Sequence, residues 1–246
     1  MLVSRDEVRG RALVTSVRQV TGAGSVELLQ ADLSDLRSVR NLARSFREQH
    51  PRLDVLVHSA AVYTRKRTET ADGFELMFAT NFLGPFLLTN LLVPALRFAG
   101  PSRVIMVSAP TRTELDFADL QSKTRWRPLH AFGASKMADL LFTFALARRH
   151  ESMEVRANAV YPGLMKSDLM RELSAPARFF VGLASRPPER AAEAVASLAS
   201  SPKFERVTGR FFKGTAVAES NAYSRDHQVQ KRLWKESERL VGDSFP

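Results

Sequence analysis

The chain has 246 residues, 44% hydrophobic and 25% charged, enough to bury a full core as one α/β domain. It contains no cysteine, which excludes a disulfide framework and a thiolate metal site. The formal charge of +10 raises the question of nucleic acid, but the basic residues are spread along the chain. The densest cluster, Arg65-Lys66-Arg67, has no aromatic neighbour beyond Tyr63, so no nucleic-acid partner is expected.

In chain order, short apolar runs alternate with helical patterns, the signature of βαβ units and a parallel sheet. Met1–Val3 reads as the end of a strand and Val26–Ala31 as a fuller one. Thr21-Gly22-Ala23-Gly24, before the second, reads as an exposed turn after a helix. Ser34 or Asp35 can cap a helix whose apolar face is Leu36, Val39, Ala43 and Phe46. Val55-Leu56-Val57 is a continuous apolar run, as expected of a strand covered on both faces. Phe74–Phe98 is the most apolar helical stretch; Asn81, Thr89, Asn90 and Pro94 interrupt it, which predicts a core helix and no membrane span. Arg103–Ser108 and Val155–Val160 predict further strands, with a helix over Ala131–Arg149 between them. A helix starting at Pro187-Pro188-Glu189, a strand at Gly209–Lys213 and a helix over Ser224–Val241 complete the pattern. No repeat or linker divides the chain, so residues 1–246 are expected to form one domain. The N-terminus has no basic segment followed by an apolar run, which predicts no signal peptide; a cytoplasmic location is expected.

Five separated features occur in order: Asp32-Leu33, His58-Ser59-Ala60-Ala61, Asn81, Ser135-Lys136 and Pro162-Gly163, with Ser167 four residues later. Together they resemble the short-chain dehydrogenase/reductase family. Asp72-Gly73-Phe74-Glu75-Leu76, Phe86-Leu87-Leu88-Thr89-Asn90-Leu91 and Leu141-Phe142-Thr143 resemble its retinol-dehydrogenase-like branch. The resemblance covers nearly the whole chain and implies a Rossmann-type doubly wound parallel sheet that binds a nicotinamide dinucleotide. It implies that Asp32, with Leu33, receives the adenine and that Ser59 and Ala60 line the adenosine. Asn81 would hold a helix kink and a proton-passing water. Lys136 would bind the nicotinamide ribose and lower the pKa of a neighbouring phenol. Pro162, Gly163 and Ser167 would flank the nicotinamide.

The chain departs from the family pattern at three places. Phe132 stands where Tyr-x-x-x-Lys has its catalytic tyrosine, so Phe132-Gly133-Ala134-Ser135-Lys136 offers no ionisable phenol. Val107-Ser108-Ala109 puts Ala109 where the assisting serine belongs, with Ser108 expected to face the other side of the strand end. A general acid contributes on the order of 10²–10⁴-fold and an oxyanion donor on the order of 10²–10³-fold, so both changes weaken catalysis. His130, Tyr161 and Ser108 are the candidate substitutes. The glycine-rich pyrophosphate loop is also absent, and Met1–Asp6 matches the end of the family's second strand. The sheet is therefore expected to lack its first strand and first helix, as a truncated product or one with a mis-set start codon; the alternative is that the truncation is real and a partner fills the gap.

After that strand, Arg5, with Arg9 as helper, suits a 2′-phosphate, so NADP is expected over NAD. Leu164–Leu183 is rich in large apolar residues. In the family the matching segment closes over substrate, which points to a lipophilic or aromatic carbonyl or alcohol. Packing as an amphipathic helix or at a homo-oligomer contact is the equal reading. The leading expectation is an NADP-linked oxidoreductase; the alternative is a catalytically silent member acting as a dinucleotide-binding regulatory or structural subunit.

Overall fold

The computed structural model describes residues 1–22, 25–150, 152, 154–164, 185 and 187–245. Its first ladder pairs β1 (Leu2–Ser4) in parallel with β2 (Leu28–Gln30), Leu2 opposite Leu28. Helix α1 (Glu7–Thr21) crosses between them. The Asp6 carboxylate accepts the Arg9 N–H at its start, and Gly22, at φ 66°, ends it in the left-handed region that glycine tolerates. Gly22 of the expected turn is thus a helix cap; Ala23 and Gly24 lie outside the described residues. Helix α2 (Leu36–Gln49) follows, its N-terminus capped by the Asp35 carboxylate on the Arg37 and Ser38 N–H groups. Its buried stripe of Leu36, Val39, Leu42, Ala43 and Phe46 is the period-3.6 face legible in the sequence.

The second sheet has five strands: β3 (Val55–His58), β4 (Ser102–Val107), β5 (Val155–Tyr161), β6 (Phe211–Lys213) and β7 (Ala216–Ala218), in that order. All pair in parallel except β7, which runs antiparallel to β6. The α/β class and the parallel pairing are as expected; the antiparallel edge strand was not foreseen. The sheet is also divided: among the described residues no strand joins the β1–β2 ladder to β3.

The expected helix over Phe74–Phe98 takes a different form. Phe78–Leu83 is a π-helical turn, and α3 proper runs from Gly84 to Ala99. The buried Glu75 carboxylate accepts the N–H groups of Met77 and Phe78 at 2.9 and 2.7 Å and so caps the turn. Phe78–Ala99 is long and apolar enough to cross a membrane, but 78% of its most apolar window is buried inside the protein. It packs with α4 (Pro128–Arg149), whose residues from Ser135 to Ala147 are all buried. Helix α5 (Pro188–Ser200) covers the other face of the sheet, with Leu198 against Ile105 and Phe212. The final helix is split into α6 (Ala222–Arg225) and α7 (His227–Val241), because Asp226 leaves helical geometry to cap Gln228 and Val229. Beyond α7 the chain folds back: Arg40 of α2 pairs with Asp243 and donates to the Val241 carbonyl, and the Phe245 ring meets Phe86 at 5.8 Å.

One close approach fixes how the Asp32-Leu33 turn meets α3. A Cβ on Gly84 would lie 2.1 Å from the Leu33 carbonyl oxygen, closer than any real contact. Gly84→Ala is therefore expected to destabilise the fold by about 1–3 kcal/mol through backbone displacement. Denaturant unfolding of the variant checks this, and an unchanged midpoint would contradict it.

Candidate functional site

Two groups of side chains form at the carboxyl ends of the strands. The first lines a cleft of about 900 Å³ between the β1 and β3 sides of the divided sheet. Arg5, Asp32, Leu33, Ser59 and Ala60 all border it. Asp32 is held by its own turn: Oδ1 accepts the Ser34 N–H at 2.9 Å and the Ser34 hydroxyl at 2.7 Å. Oδ2 faces an Arg5 guanidinium nitrogen at 3.7 Å, so the two residues sit together at the cleft wall. Ser59 and Ala60, just past β3, are exposed. Thr80 borders the same cleft, and its buried hydroxyl has no hydrogen-bond partner among the described residues. Sequence reading passed over Thr80; its one signal is its place directly before Asn81.

His58 also borders the cleft but is buried, with Nε2 at 2.7 Å from the Thr89 hydroxyl. That hydroxyl gives its own proton to the Pro85 carbonyl at 2.8 Å, so it accepts from the ring and selects the neutral tautomer with Nε2 protonated. Burial pulls the His58 pKa down to about 4.

The second group joins the π turn to α4. Asn81 Oδ1 accepts the Val62 N–H at 2.7 Å, and Nδ2 donates to the Val62 carbonyl and the Ser135 hydroxyl, each at 3.0 Å. Ser135 in turn donates to the Phe132 carbonyl at 2.8 Å. Asn81 therefore ties the segment after Ser59-Ala60 to the helix that carries Lys136. Ser108 is buried and turned toward α4, its hydroxyl donating to the Lys136 carbonyl at 3.1 Å. Ala109 follows it with no polar side-chain atom. Pro162 is buried after β5, Gly163 takes φ 104°, and Ser167 lies outside the described residues.

Lys136 does not face an open site. Its ammonium donates to Asp139 Oδ2 at 2.9 Å and to the Val107 carbonyl at 3.3 Å, and it sits 5.9 Å from the centroid of the Phe132 ring. Both partners of the ion pair are buried. Burial pushes the Asp139 pKa up to about 6 against the pull of Lys136, and Asp139 Oδ1 has no hydrogen-bond partner among the described residues. Sequence reading missed Asp139; the signal was a carboxylate three residues after a lysine within the apolar run Met137-Ala138-Asp139-Leu140. It also missed Tyr63, whose ring stands edge-on to Phe132 at 5.8 Å and 82°.

A family model described as short chain dehydrogenase matches residues 1–178. The chain belongs to the short-chain dehydrogenase family. Human retinol dehydrogenase 14 is 36% identical over 246 residues, 97% of this chain and 73% of its own length. Mouse polyprenol dehydrogenase is 37% identical over 254 residues, covering 98% and 76%. A crystal structure of a Mycobacterium paratuberculosis protein superposes with TM-score 0.71 at 30% identity, covering 99% of this chain and 84% of that one. These relatives support the retinol-dehydrogenase-like branch.

Within this short-chain dehydrogenase the buried charges make two expectations specific. Lys136→Met leaves Asp139 buried without its cation and should cost on the order of 3 kcal/mol, whereas Lys136→Met with Asp139→Leu should recover most of that. Thermal unfolding of both variants reads the difference; equal losses would show that the pair does not act as a unit. For His58, the folded pKa lies below the unfolded value, so its contribution is present above pH 6.5 and is lost as the pH falls toward about 4. The loss should reach about 3 kcal/mol at most. Asp139 runs the opposite way over roughly pH 4 to 6, so stability against pH is to be compared between the parent and His58→Gln. The parent should lose more between pH 6.5 and 4.

Proposed function

We propose that this short-chain dehydrogenase binds NADP(H) and moves a hydride between it and a carbonyl or alcohol on a lipophilic substrate, with the chemical step slowed by Phe132 and Ala109. The pairing of Arg5 with Asp32 at the cleft wall carries the reading, because it places a cation beside the carboxylate assigned to adenosine. The fit extends to the unpartnered Thr80 hydroxyl, a buried polar atom that a polar ligand can satisfy. A cradle for the pyrophosphate is not among the described residues, so binding by residues 1–246 alone is expected to be weak.

When bound, the dinucleotide supplies or accepts the hydride. The chain's residues divide the remaining work. Asp32, Leu33, Ser59 and Ala60 would hold the adenosine end, Arg5 would meet the 2′-phosphate, and Pro162 and Gly163 would flank the nicotinamide; Ser167, assigned beside them by the family resemblance, lies outside the described residues. Asn81 fixes α4 against the segment at Val62. Lys136 would bind a ribose hydroxyl with the ammonium that now donates to Asp139 and to the Val107 carbonyl. The substrate's lipophilic character is supported by the retinol and polyprenol named for the relatives and by the composition of Leu164–Leu183, of which only Leu164 lies among the described residues. A cytoplasmic location and a homo-oligomer belong to the same proposal.

The Lys136–Asp139 pair favours a second reading, a silent dinucleotide-binding subunit, since it engages the ammonium that a catalytic phenol would need nearby. Turnover of a panel of hydrophobic aldehydes and ketones with NADPH separates the two. Phe132→Tyr with Ala109→Ser should raise kcat by about 100-fold or more over the parent. A measurable parent rate that falls in Tyr63→Phe would assign the remaining proton transfer to the Tyr63 phenol. No turnover by either protein, with NADPH fluorescence still saturating, would decide for the silent subunit.

A further inference from the structure

Two loops meet beside the Phe132 end of α4. The Trp126 indole N–H donates to the Arg65 carbonyl at 2.8 Å, and Arg67 Nε donates to the Gln121 carbonyl at 3.2 Å. The Asp119 carboxylate accepts the Lys123 and Thr124 N–H groups and so fixes the turn that leads into Arg125. These bonds bring two basic runs, far apart in sequence, onto one face. Arg67 is already paired with Glu69 at 2.6 Å. Arg65, Lys66, Arg125 and Arg127 are exposed, and none of the four has an acidic partner among the described residues. Leu129, in the first turn of α4, is 71% exposed next to them in the chain. Tyr63, two residues before Arg65, stands edge-on to the Phe132 ring, so this face borders the place of the family's catalytic tyrosine. None of these four cations, nor Leu129, lines the cleft that holds Arg5 and Asp32.

We propose that this face docks on an anionic lipid bilayer, with Arg65, Lys66, Arg125 and Arg127 at the headgroups and Leu129 entering the acyl boundary. Like charges gathered on one face repel each other, and an anionic surface removes that repulsion. A nucleic acid would satisfy the cations but leave Leu129 in water. A bilayer takes both, because its charged headgroups lie directly above its apolar layer. The attachment is peripheral and adds no membrane-crossing segment. Docking in this sense turns the Tyr63–Phe132 edge of the site toward the lipid. The docking does not depend on the proposed hydride transfer; a lipophilic substrate would give it a use, since such a molecule partitions into the bilayer.

Cosedimentation of residues 1–246 with lipid vesicles tests this. The protein should pellet with vesicles of equal parts phosphatidylcholine and phosphatidylglycerol and stay in solution with phosphatidylcholine alone. Salt at about 0.5 M should release it. Arg125→Glu with Arg127→Glu should weaken binding about tenfold or more, and Leu129→Ser about threefold. If the first pair melts early, Arg65→Glu with Lys66→Glu carries the same test from the other loop. Arg44→Glu with Arg47→Glu makes the same change in net charge on exposed residues of α2. That helix carries the chain from the carboxyl end of β2 back toward the start of β3, so its last turns lie at the opposite end of the sheet from the site. This control should bind as the parent does. The proposal is overturned by equal pelleting with both kinds of vesicle, by unchanged binding in both reversal pairs, or by unchanged binding of Leu129→Ser. An equal loss in the α2 control overturns it too, since net charge alone would then be the cause. A labelled single-stranded oligonucleotide that displaces the protein from the vesicles would assign the face to nucleic acid and overturn it as well. Turnover and NADPH binding enter none of these measurements, so failure of the docking and failure of the proposed activity are told apart.

Discussion

The packing of α2 on α3 is the contact on which the rest of the molecule depends. No backbone ladder joins β1–β2 to the five-stranded sheet among the described residues, and α2 packs on α3 across the interruption. Leu42, Phe46, Leu88 and Leu92 belong to one apolar cluster that spans the interruption. Apolar contact is non-directional, so it can hold two sheets together without fixing their spacing as hydrogen bonds would. Directional restraint comes from a few places. The Leu33 carbonyl rests on Gly84, and the Leu53 N–H donates to the Ala95 carbonyl at 3.1 Å. The site residues sit on both sides of the break, so the same helices set the distance between Arg5 and Ser59.

The helix that carries Lys136 shows a trade between charge and chemistry. A buried ammonium beside a phenol has an acceptor for its influence and a role in catalysis. With a phenyl ring in that place, the ammonium has only the ring face, the Val107 carbonyl and a carboxylate one turn along its own helix. Asp139 supplies the missing countercharge at the expense of its own solvation, which is why its proton affinity rises. The polar skeleton around it persists: Asn81, Ser135 and the Phe132 carbonyl still form a continuous chain of hydrogen bonds. On the proposed reading, this chain of hydrogen bonds surrounds a phenyl ring that cannot hold a proton.

Much of the fold was legible because buried parallel strands are written as apolar runs. Val55–His58 and Val155–Tyr161 were found within a residue, and α2 was marked by both its cap and its stripe. The π turn at Phe78–Leu83 was hidden, because it depends on Glu75 and on Asn81 reaching a segment 19 residues away. The break at Asp226 was hidden by competition: the residue serves equally as a helix interior position or as a cap, and only tertiary packing selects the cap. In the site, Lys136 and Asn81 were singled out by the family resemblance, but their partners could not be read. Asp139 and Tyr63 belong to no motif, and their importance lies in what they touch. Ser167 and most of the apolar segment before α5 lie outside the described residues.

The chain's last described residues reach back across the molecule. Arg40 of α2 holds Asp243 and the Val241 carbonyl, the Phe245 ring lies against Phe86 of α3, and Arg149 of α4 donates to the Phe245 carbonyl at 3.2 Å. A short tail thus stitches together three helices, including the pair that spans the interrupted sheet. Its mechanical role is that of a brace across α2, α3 and α4. Cutting it would be felt at the β1–β2 ladder, through α2, rather than in the helix that carries it.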